Sequence, residues 1–206
     1  MNLCTCPAAA SLTSIPAAGC PESFGQIQKI AFQRLRKADG TKNSFTSTSS
    51  ILIKASWTAK KAASDATKIV ISPYIQAPSQ EAGSPRTFGG GNETLGGVEI
   101  IIGREPSTFT GVIRSVSQDV IKAMKQLQCE AQADNLGVFL FDENGAVEAI
   151  KDESVATTFY PIPIRSLFIG DKAHGGLEAP DSNAIQFSFL PNYSDNLSIQ
   201  VPTDFN

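Results

Sequence analysis

The chain has a single histidine, His174, which lies in a glycine-flanked loop with several carboxylates close by in sequence. Asp171, Glu178 and Asp181 could in principle bind a metal ion together with this imidazole, but their spacing matches no compact metal-binding motif. A serine or cysteine nucleophile needs a histidine or a buried lysine as its base, and the sequence contains no G-x-S-x-G elbow. We therefore predict no catalytic site, no bound metal and no cofactor.

The cysteines offer a second kind of metal chemistry. Cys4, Cys6 and Cys20 lie near the N-terminus and could present three thiolates to a zinc ion. A structural zinc ion takes four ligands, and the fourth would have to be Cys129 or His174, both of which are distant in sequence. Free thiols in an arm that packs against another surface are therefore the favoured interpretation.

The N-terminal segment also decides the expected compartment. Its residues Pro16-Ala17-Ala18-Gly19-Cys20 have some likeness to a lipoprotein cleavage site, with Cys20 as the lipidated residue. Residues 1–19 carry no Lys or Arg, however, and prolines and hydroxyl residues interrupt the apolar core that a signal peptide requires. No stretch approaches the roughly 20 apolar residues of a membrane span. We predict that the protein does not associate with a membrane. We also predict that it is assembled in a reducing cytoplasm.

The glycine-rich stretch at 89–97 is the candidate for phosphate binding. It lacks the Gly-Lys-Ser/Thr of a P-loop, and Thr94 stands where a dinucleotide fingerprint would have its third glycine. Pro85 and Arg86 flank the stretch, which favours a long projecting hairpin instead. The carboxylate pairs Asp142/Glu143 and Asp152/Glu153 are expected to lie in turns, where they solvate the chain.

Composition limits the classes of protein further. The chain has 206 residues, a formal charge of −3 and a charged fraction of 18%, while 41% of its residues are hydrophobic. A protein that wraps nucleic acid would need a basic face, which this balance does not favour. A disordered chain would combine low hydrophobicity with a high net charge, which this sequence does not show.

The elements that would position any site are mostly strands. Apolar alternation and β-branched runs predict a sheet from residues 25–35, 67–72, 98–102, 136–150 and 184–201. The hairpin turn Asp142-Glu143-Asn144-Gly145 lies within this set. A short helix is predicted in 51–63, with serines and threonines as its N-caps. The main helix is predicted over 112–130, with its apolar stripe formed by Val116, Val120, Ile121, Met124 and Leu127.

These elements predict a mainly β fold with one flanking α-helix, arranged as a β-sandwich or open barrel. We expect an extended arm at 1–23 and a single domain at 24–206, with a long loop at 75–96. Aromatic side chains such as Trp57, Phe187 and Phe189 are expected in the core, because aromatics on strand faces are usually buried.

The order of these segments resembles that of tail tube (major tail) proteins of long-tailed bacteriophages, especially those of gut Bacteroidetes. The resemblance is carried by the order of Gly25–Ile30, Ala55–Ala63, Thr67–Pro73, Thr87–Thr94 and Val98–Ile102, followed by a helix, by Leu136–Phe141 with its Asn-Gly turn and by a late strand ending near Leu190. It covers most of residues 24–202 and depends on pattern, not on a catalytic motif. The cysteine-bearing arm has no counterpart in the family.

The resemblance implies a virion structural protein whose β-sandwich or open barrel closes into a ring by oligomerisation. Stacked, hexameric rings would then surround a conduit for viral DNA. The protein's partners would be itself, other tail proteins and DNA that passes without specific binding, in a virion tail assembled in the host cytoplasm. Long loops and arms would span the joint between rings. The residues that we therefore predict to contact other subunits are Cys4, Cys6, Cys20, Phe88, Gly89, Gly90, Gly91 and Asn92. A mildly acidic wall would let the phosphate backbone pass, since like charges repel.

Three alternatives remain open from the sequence. The chain could be another tail component, such as a terminator, a distal ring or a connector. It could be a secreted or surface β-sandwich module anchored at Cys20 that binds a glycan. It could also be a small hydrolase whose site has no recognisable motif. Rings, tubes or hexamers of the purified protein would favour a tail protein, whereas monomers would favour the other classes.

Overall fold

In residues 24–205, which the computed structural model describes, ten of twelve strands form one antiparallel sheet and two form a separate hairpin. The predicted arm at 1–23, with Cys4, Cys6 and Cys20, lies outside the described residues. The elements in chain order are β1 (Ile27–Arg34), α1 (Lys54–Ala62), β2 (Ile69–Ile71), β3 (Gln76–Glu81), β4 (Pro85–Phe88), β5 (Ile100–Arg104), β6 (Thr108–Arg114), α2 (Gln118–Gln132), β7 (Leu136–Asp142), β8 (Val147–Lys151), β9 (Phe159–Tyr160), β10 (Ile162–Ile169), β11 (Ser182–Phe189) and β12 (Leu197–Gln200). Short 3₁₀ turns cover Leu95–Gly97 and Tyr193–Asn196.

The large sheet follows the order β12-β8-β7-β10-β11-β6-β3. Strand β7 is central, because it pairs with β1 along one edge and with β10 and β8 in succession along the other. Strand β1 also pairs with β2, and beyond Pro73 the Ile75 N–H donates to the Gln28 carbonyl (2.8 Å). The mainly β fold predicted from the sequence is confirmed. The described sheet stays open, with β12 and β3 at its ends.

Two apolar cores lie on opposite faces of the central strands. Leu136, Val138 and Leu140 of β7 face the larger core, while Phe139 faces the smaller one, as the alternation of a strand requires. Both faces of β7 are covered, so its sequence is nearly continuous in apolar residues. The rings of Phe109 and Phe187 stack in the larger core with their centroids 4.8 Å apart. Full burial of each such side chain contributes roughly 1.5–3 kcal/mol to folding.

Helix α1 covers the smaller core and places Trp57 in it. The expected serine or threonine N-cap is wrong, because Ile53 is at the N-cap position and no side chain caps the helix from there. The Lys54 N–H donates instead to both carboxylate oxygens of Asp204, each at 2.9 Å. A residue 150 positions away therefore stabilises the start of this helix, by tertiary contact and by its negative charge near the N-terminal dipole.

The main helix begins later than the sequence pattern predicts, so the range 112–130 is corrected. Residues Thr108–Arg114 form β6, which pairs along its full length with β11 and also with β3. Every second residue of β6 is buried, namely Phe109, Gly111 and Ile113. This period of two arises because the segment, which contains β-branched residues, pairs with other strands in the sheet. In α2, Ile121 and Met124 are buried while Val120 is exposed, so the predicted stripe is only partly correct.

The long loop predicted at 75–96 is also corrected. It contains β3, which pairs with β6, and β4, which pairs with β5. No apolar pattern in the sequence predicts these strands, because the segment is rich in prolines, serines and glycines. Every β4 residue and all but one β3 residue are exposed. Pro78 lies in β3 at one end of the sheet, where a missing N–H costs no ladder hydrogen bond on the outer side.

Half-buried Glu148 of β8 gives a prediction for the pH dependence of stability. Burial raises the pKa of its carboxyl above the ordinary value. The folded chain therefore holds this proton more tightly than the unfolded chain, so the free energy of unfolding falls as pH rises from the unfolded pKa, about 4.3, through the folded one. We expect Glu148→Gln to raise the melting temperature at pH 7 and to leave it unchanged at pH 3.5. Exposed Glu143→Gln is the control, and equal shifts at both pH values would contradict the assignment.

Candidate assembly interface

A β-ribbon leaves the sheet at the point where β3 ends and β6 begins. It continues as the hairpin Pro85–Arg104, here called the hairpin arm. Gly83 and Glu105 face each other at the junction, where the Glu105 N–H donates to the Ser84 carbonyl (2.8 Å). A Cβ on Gly83 would lie 1.8 Å from the Glu105 carbonyl oxygen, so no larger residue fits without moving the backbone. The Arg104 guanidinium donates to Asn192 Oδ1 (2.6 Å) and holds the base of the arm against the body.

Both faces of the hairpin arm carry exposed apolar side chains. Phe88 and Ile100 are direct partners in the ladder and share one face, whereas Ile101 is opposite Thr87 on the other. Phe88 is 56% exposed, Ile100 51% and Ile101 62%. Leu95, Val98 and Ile102 add three more exposed apolar groups. The prediction that 98–102 belongs to the same sheet as the other strands is wrong, because β5 pairs only with β4 in the described residues.

The tip of the arm folds on itself through Thr94. Its hydroxyl accepts from the Gly90 N–H (3.1 Å) and donates to the Val98 carbonyl (2.6 Å). Gly89, Gly90 and Gly91 take φ values of 88°, 112° and 55°, which favour glycine. The projecting hairpin predicted for this stretch is confirmed, since β4 and β5 flank the glycines.

The predicted contact residues divide between this tip and the region outside the described residues. Phe88, Gly91 and Asn92 are exposed, while Gly89 and Gly90 are half-buried within the turn. Cys4, Cys6 and Cys20 lie outside the described residues, so their predicted contact role stays a prediction, as does that of the tip. Sequence analysis missed Ile100, Ile101 and Ile102 as surface residues, because an isoleucine run ordinarily indicates a buried strand.

The charge of the arm is uneven along its length. Between Phe88 and Gly103 its only charged side chains are Glu93 and Glu99. Its base instead carries Arg86 and Arg104, with Arg86 Nε 3.8 Å from a Glu105 oxygen in an exposed pair. The outer part of the arm is thus apolar and acidic.

The residues considered for metal or acid–base chemistry do not gather in one place. His174 Nδ1 lies 3.3 Å from Asp181, yet its side chain is 80% exposed. Asp171 pairs instead with Lys125 of α2, and Glu178 is exposed. Among residues 24–205, no group of three His, Cys, Asp or Glu side chains could hold a metal ion, and Cys129 is an exposed free thiol.

A groove of about 330 Å³ lies beside α1, on the side of the smaller core. Trp57, Ile71 and Phe141 line it together with Lys29, Lys54 and Lys61, and we call it the α1 groove.

No helix in the described part of the chain is long and apolar enough to cross a membrane.

No family model matches the chain, and no curated protein matches it in sequence. Solved structures that align with it include the following three. A chain from the tail of an empty GTA particle, refined helically with C6 symmetry, shares 14% identity at a TM-score of 0.34, over 62% of this chain and 82% of that one. A chain from the virion of a native gene transfer agent (GTA) particle shares 14% identity at a TM-score of 0.33, over 62% of this chain and 85% of that one. A chain from the anti-feeding prophage (AFP) baseplate shares 8% identity at a TM-score of 0.34, over 93% of this chain and 99% of that one.

These likenesses are to components of a tail, a virion and a baseplate. At such scores and identities they assign the chain to no family and to no function.

Proposed function

We propose that the protein is a structural subunit of a phage-type tail, and more narrowly a tail tube subunit that assembles into stacked rings around a passage for DNA. It would act by assembly alone and carry out no catalysis. The observation that supports this proposal best is the hairpin arm, which exposes apolar side chains on both of its faces.

An isolated two-stranded ribbon is at best marginally stable in water, since it has no sheet neighbour and no core. The arm carries six large apolar side chains in this exposed state, namely Phe88, Leu95, Val98, Ile100, Ile101 and Ile102. A concentration of exposed apolar side chains in one short segment is typical of an interaction site. Burial between subunits would remove it from water at roughly 25 cal/mol per Å².

The edges of the large sheet favour repetition of the same subunit. Strands β12 and β3 are at the two ends of the strand order, and each pairs with one neighbour in the described residues. Edge strands with open N–H and C=O groups pair readily with other chains. If one end of the sheet meets the other end of an identical copy, the contact is heterologous and closes into a ring when the rotation allows it.

The experiment compares the full-length chain with an arm variant that carries Phe88→Ser, Ile100→Thr, Ile101→Thr and Ile102→Thr. Threonine keeps the β-propensity of the ribbon while removing apolar area. Each buried apolar side chain contributes about 1 kcal/mol or more, so we expect self-association to weaken on the order of a thousandfold. Negative-stain microscopy and light scattering measure assembly, and circular dichroism checks that the sheet is retained.

The matched control replaces exposed apolar residues away from the arm, with Val155→Thr, Leu177→Ser and Val201→Thr. It should assemble as the unmodified chain does. A chain that stays monomeric at every concentration would contradict the proposal, and so would an arm variant that forms rings or tubes normally. Another tail component would instead show a single ring or a cap on a tube made of a different protein.

A further inference from the structure

We propose that the α1 groove receives the hairpin arm of a second copy of this chain. The inference depends on the proposed function, because it assigns the acceptor for the same arm. Such a contact joins two different surfaces of identical subunits, so it repeats from copy to copy.

The α1 groove presents an apolar surface that the chain itself covers only in part. Trp57 packs closely on Phe45, with ring centroids 4.4 Å apart, and it lines the groove together with Phe141, although only 6% of it is exposed. Phe205 lies at longer range, with its ring centroid 6.1 Å from that of Trp57 and 6.2 Å from that of Phe141. The Phe205 ring is itself part of the groove lining.

The same groove is basic. Lys29, Lys54 and Lys61 line it, and none of them makes an ion pair within residues 24–205. The Lys29 ammonium lies 4.1 Å over the ring of Tyr74. One carboxylate is close by, that of Asp204, and it accepts the Lys54 N–H. Three cations against one anion leave the groove with a positive charge.

The outer part of the hairpin arm is the complement of this surface. From Phe88 to Gly103 the arm carries Glu93 and Glu99 and no Lys or Arg. It combines these two carboxylates with exposed Phe88, Leu95 and Val98. An apolar and acidic ribbon thus matches an apolar and basic groove in both hydrophobicity and charge, which favours this docking over like-charge alternatives. The contact is expected to weaken as salt is raised, because its charges are exposed.

Charge reversal tests the inference. Lys54→Glu with Lys61→Glu should weaken self-association of the full-length chain about tenfold or more, and Glu93→Lys with Glu99→Lys should do the same. A chain with all four reversals should assemble to within about threefold of the unmodified protein, because opposite charges again face each other. Sedimentation velocity measures the association, and circular dichroism confirms folding. Neutral Lys54→Gln with Lys61→Gln replaces the groove variant if that variant does not fold.

The matched control is Lys37→Glu with Lys122→Glu, which reverses two exposed lysines outside the groove. It should leave association unchanged. Groove variants that associate like this control, or a fourfold variant without recovery, would overturn the inference. If the apolar arm variant abolishes assembly while groove reversal has no effect, the arm proposal stands and its acceptor lies elsewhere. An unmodified chain that never associates would overturn both.

Discussion

Trp57→Ala is expected to lower the free energy of unfolding by about 3–5 kcal/mol, the usual cost of removing a large buried aromatic side chain. Trp57 is 6% exposed and contacts Phe45, Phe139 and Phe141, with ring centroids 4.4, 5.2 and 5.1 Å away. Alanine would leave a cavity at the centre of the smaller core and detach α1 from the sheet. Urea unfolding of the full-length chain, followed by circular dichroism, measures the change.

Trp57→Phe is the matched control, because it keeps an aromatic ring in the same place. It loses the hydrogen bond from Trp57 Nε1 to the Ile51 carbonyl (2.8 Å), which contributes roughly 1 kcal/mol. We therefore expect phenylalanine to recover much of the stability lost with alanine. A loss below about 1 kcal/mol for the alanine variant would show that this core does not hold the fold together.

Asp142→Ala is expected to cost about 3 kcal/mol, because the Asp142 carboxylate organises the turn between β7 and β8. Its Oδ1 accepts from the N–H groups of Asn144 (2.9 Å) and Ala146 (2.7 Å), and its Oδ2 accepts from that of Gly25 (3.1 Å). Asp142 is only 6% exposed, so alanine leaves donors without partners where water has little access. Thermal and urea unfolding measure the loss.

Asp142→Asn separates the two oxygens of this carboxylate. An amide oxygen at the Oδ1 position can still accept from the Asn144 and Ala146 N–H groups, whereas an NH₂ group cannot accept from Gly25. We expect a smaller loss of about 1 kcal/mol for asparagine. Equal losses for alanine and asparagine would show that the negative charge, and not the turn geometry, carries the effect.

Asp142 also shows how far a turn can be predicted. The sequence correctly places a hairpin turn at Asp142-Glu143-Asn144-Gly145, and Gly145 takes a φ of 80°. The expectation that Asp142 solvates the chain is wrong, since the side chain is buried against three backbone amides. Residue types predict where the chain reverses, but the approach of Gly25, more than 100 positions away, depends on the sheet.

The two largest errors of sequence analysis have a common physical cause. Residues 112–114, which the sequence pattern predicts to begin the main helix, and residues 98–102 are both rich in β-branched and apolar residues, and each pattern is compatible with more than one neighbour. Pairing with β11 and β3 makes the first a buried strand instead of a helix. Within residues 24–205, the second pairs only with the exposed strand β4 and is therefore on the surface. Local periodicity describes which residues share a face, not what covers that face.

Local residue patterns are enough to predict that the chain is mainly β, that a short helix surrounds Trp57, that 136–150 is a hairpin and that the glycines near residue 90 lie in a projecting turn. These features follow from local propensity and from the backbone freedom of glycine, which act over a few residues. No local pattern predicts that Asp204 caps α1, that Asp142 is buried, or that the isoleucines of β5 face solvent. Each of these depends on which distant segment lies alongside, and that is settled by the packing of the whole chain.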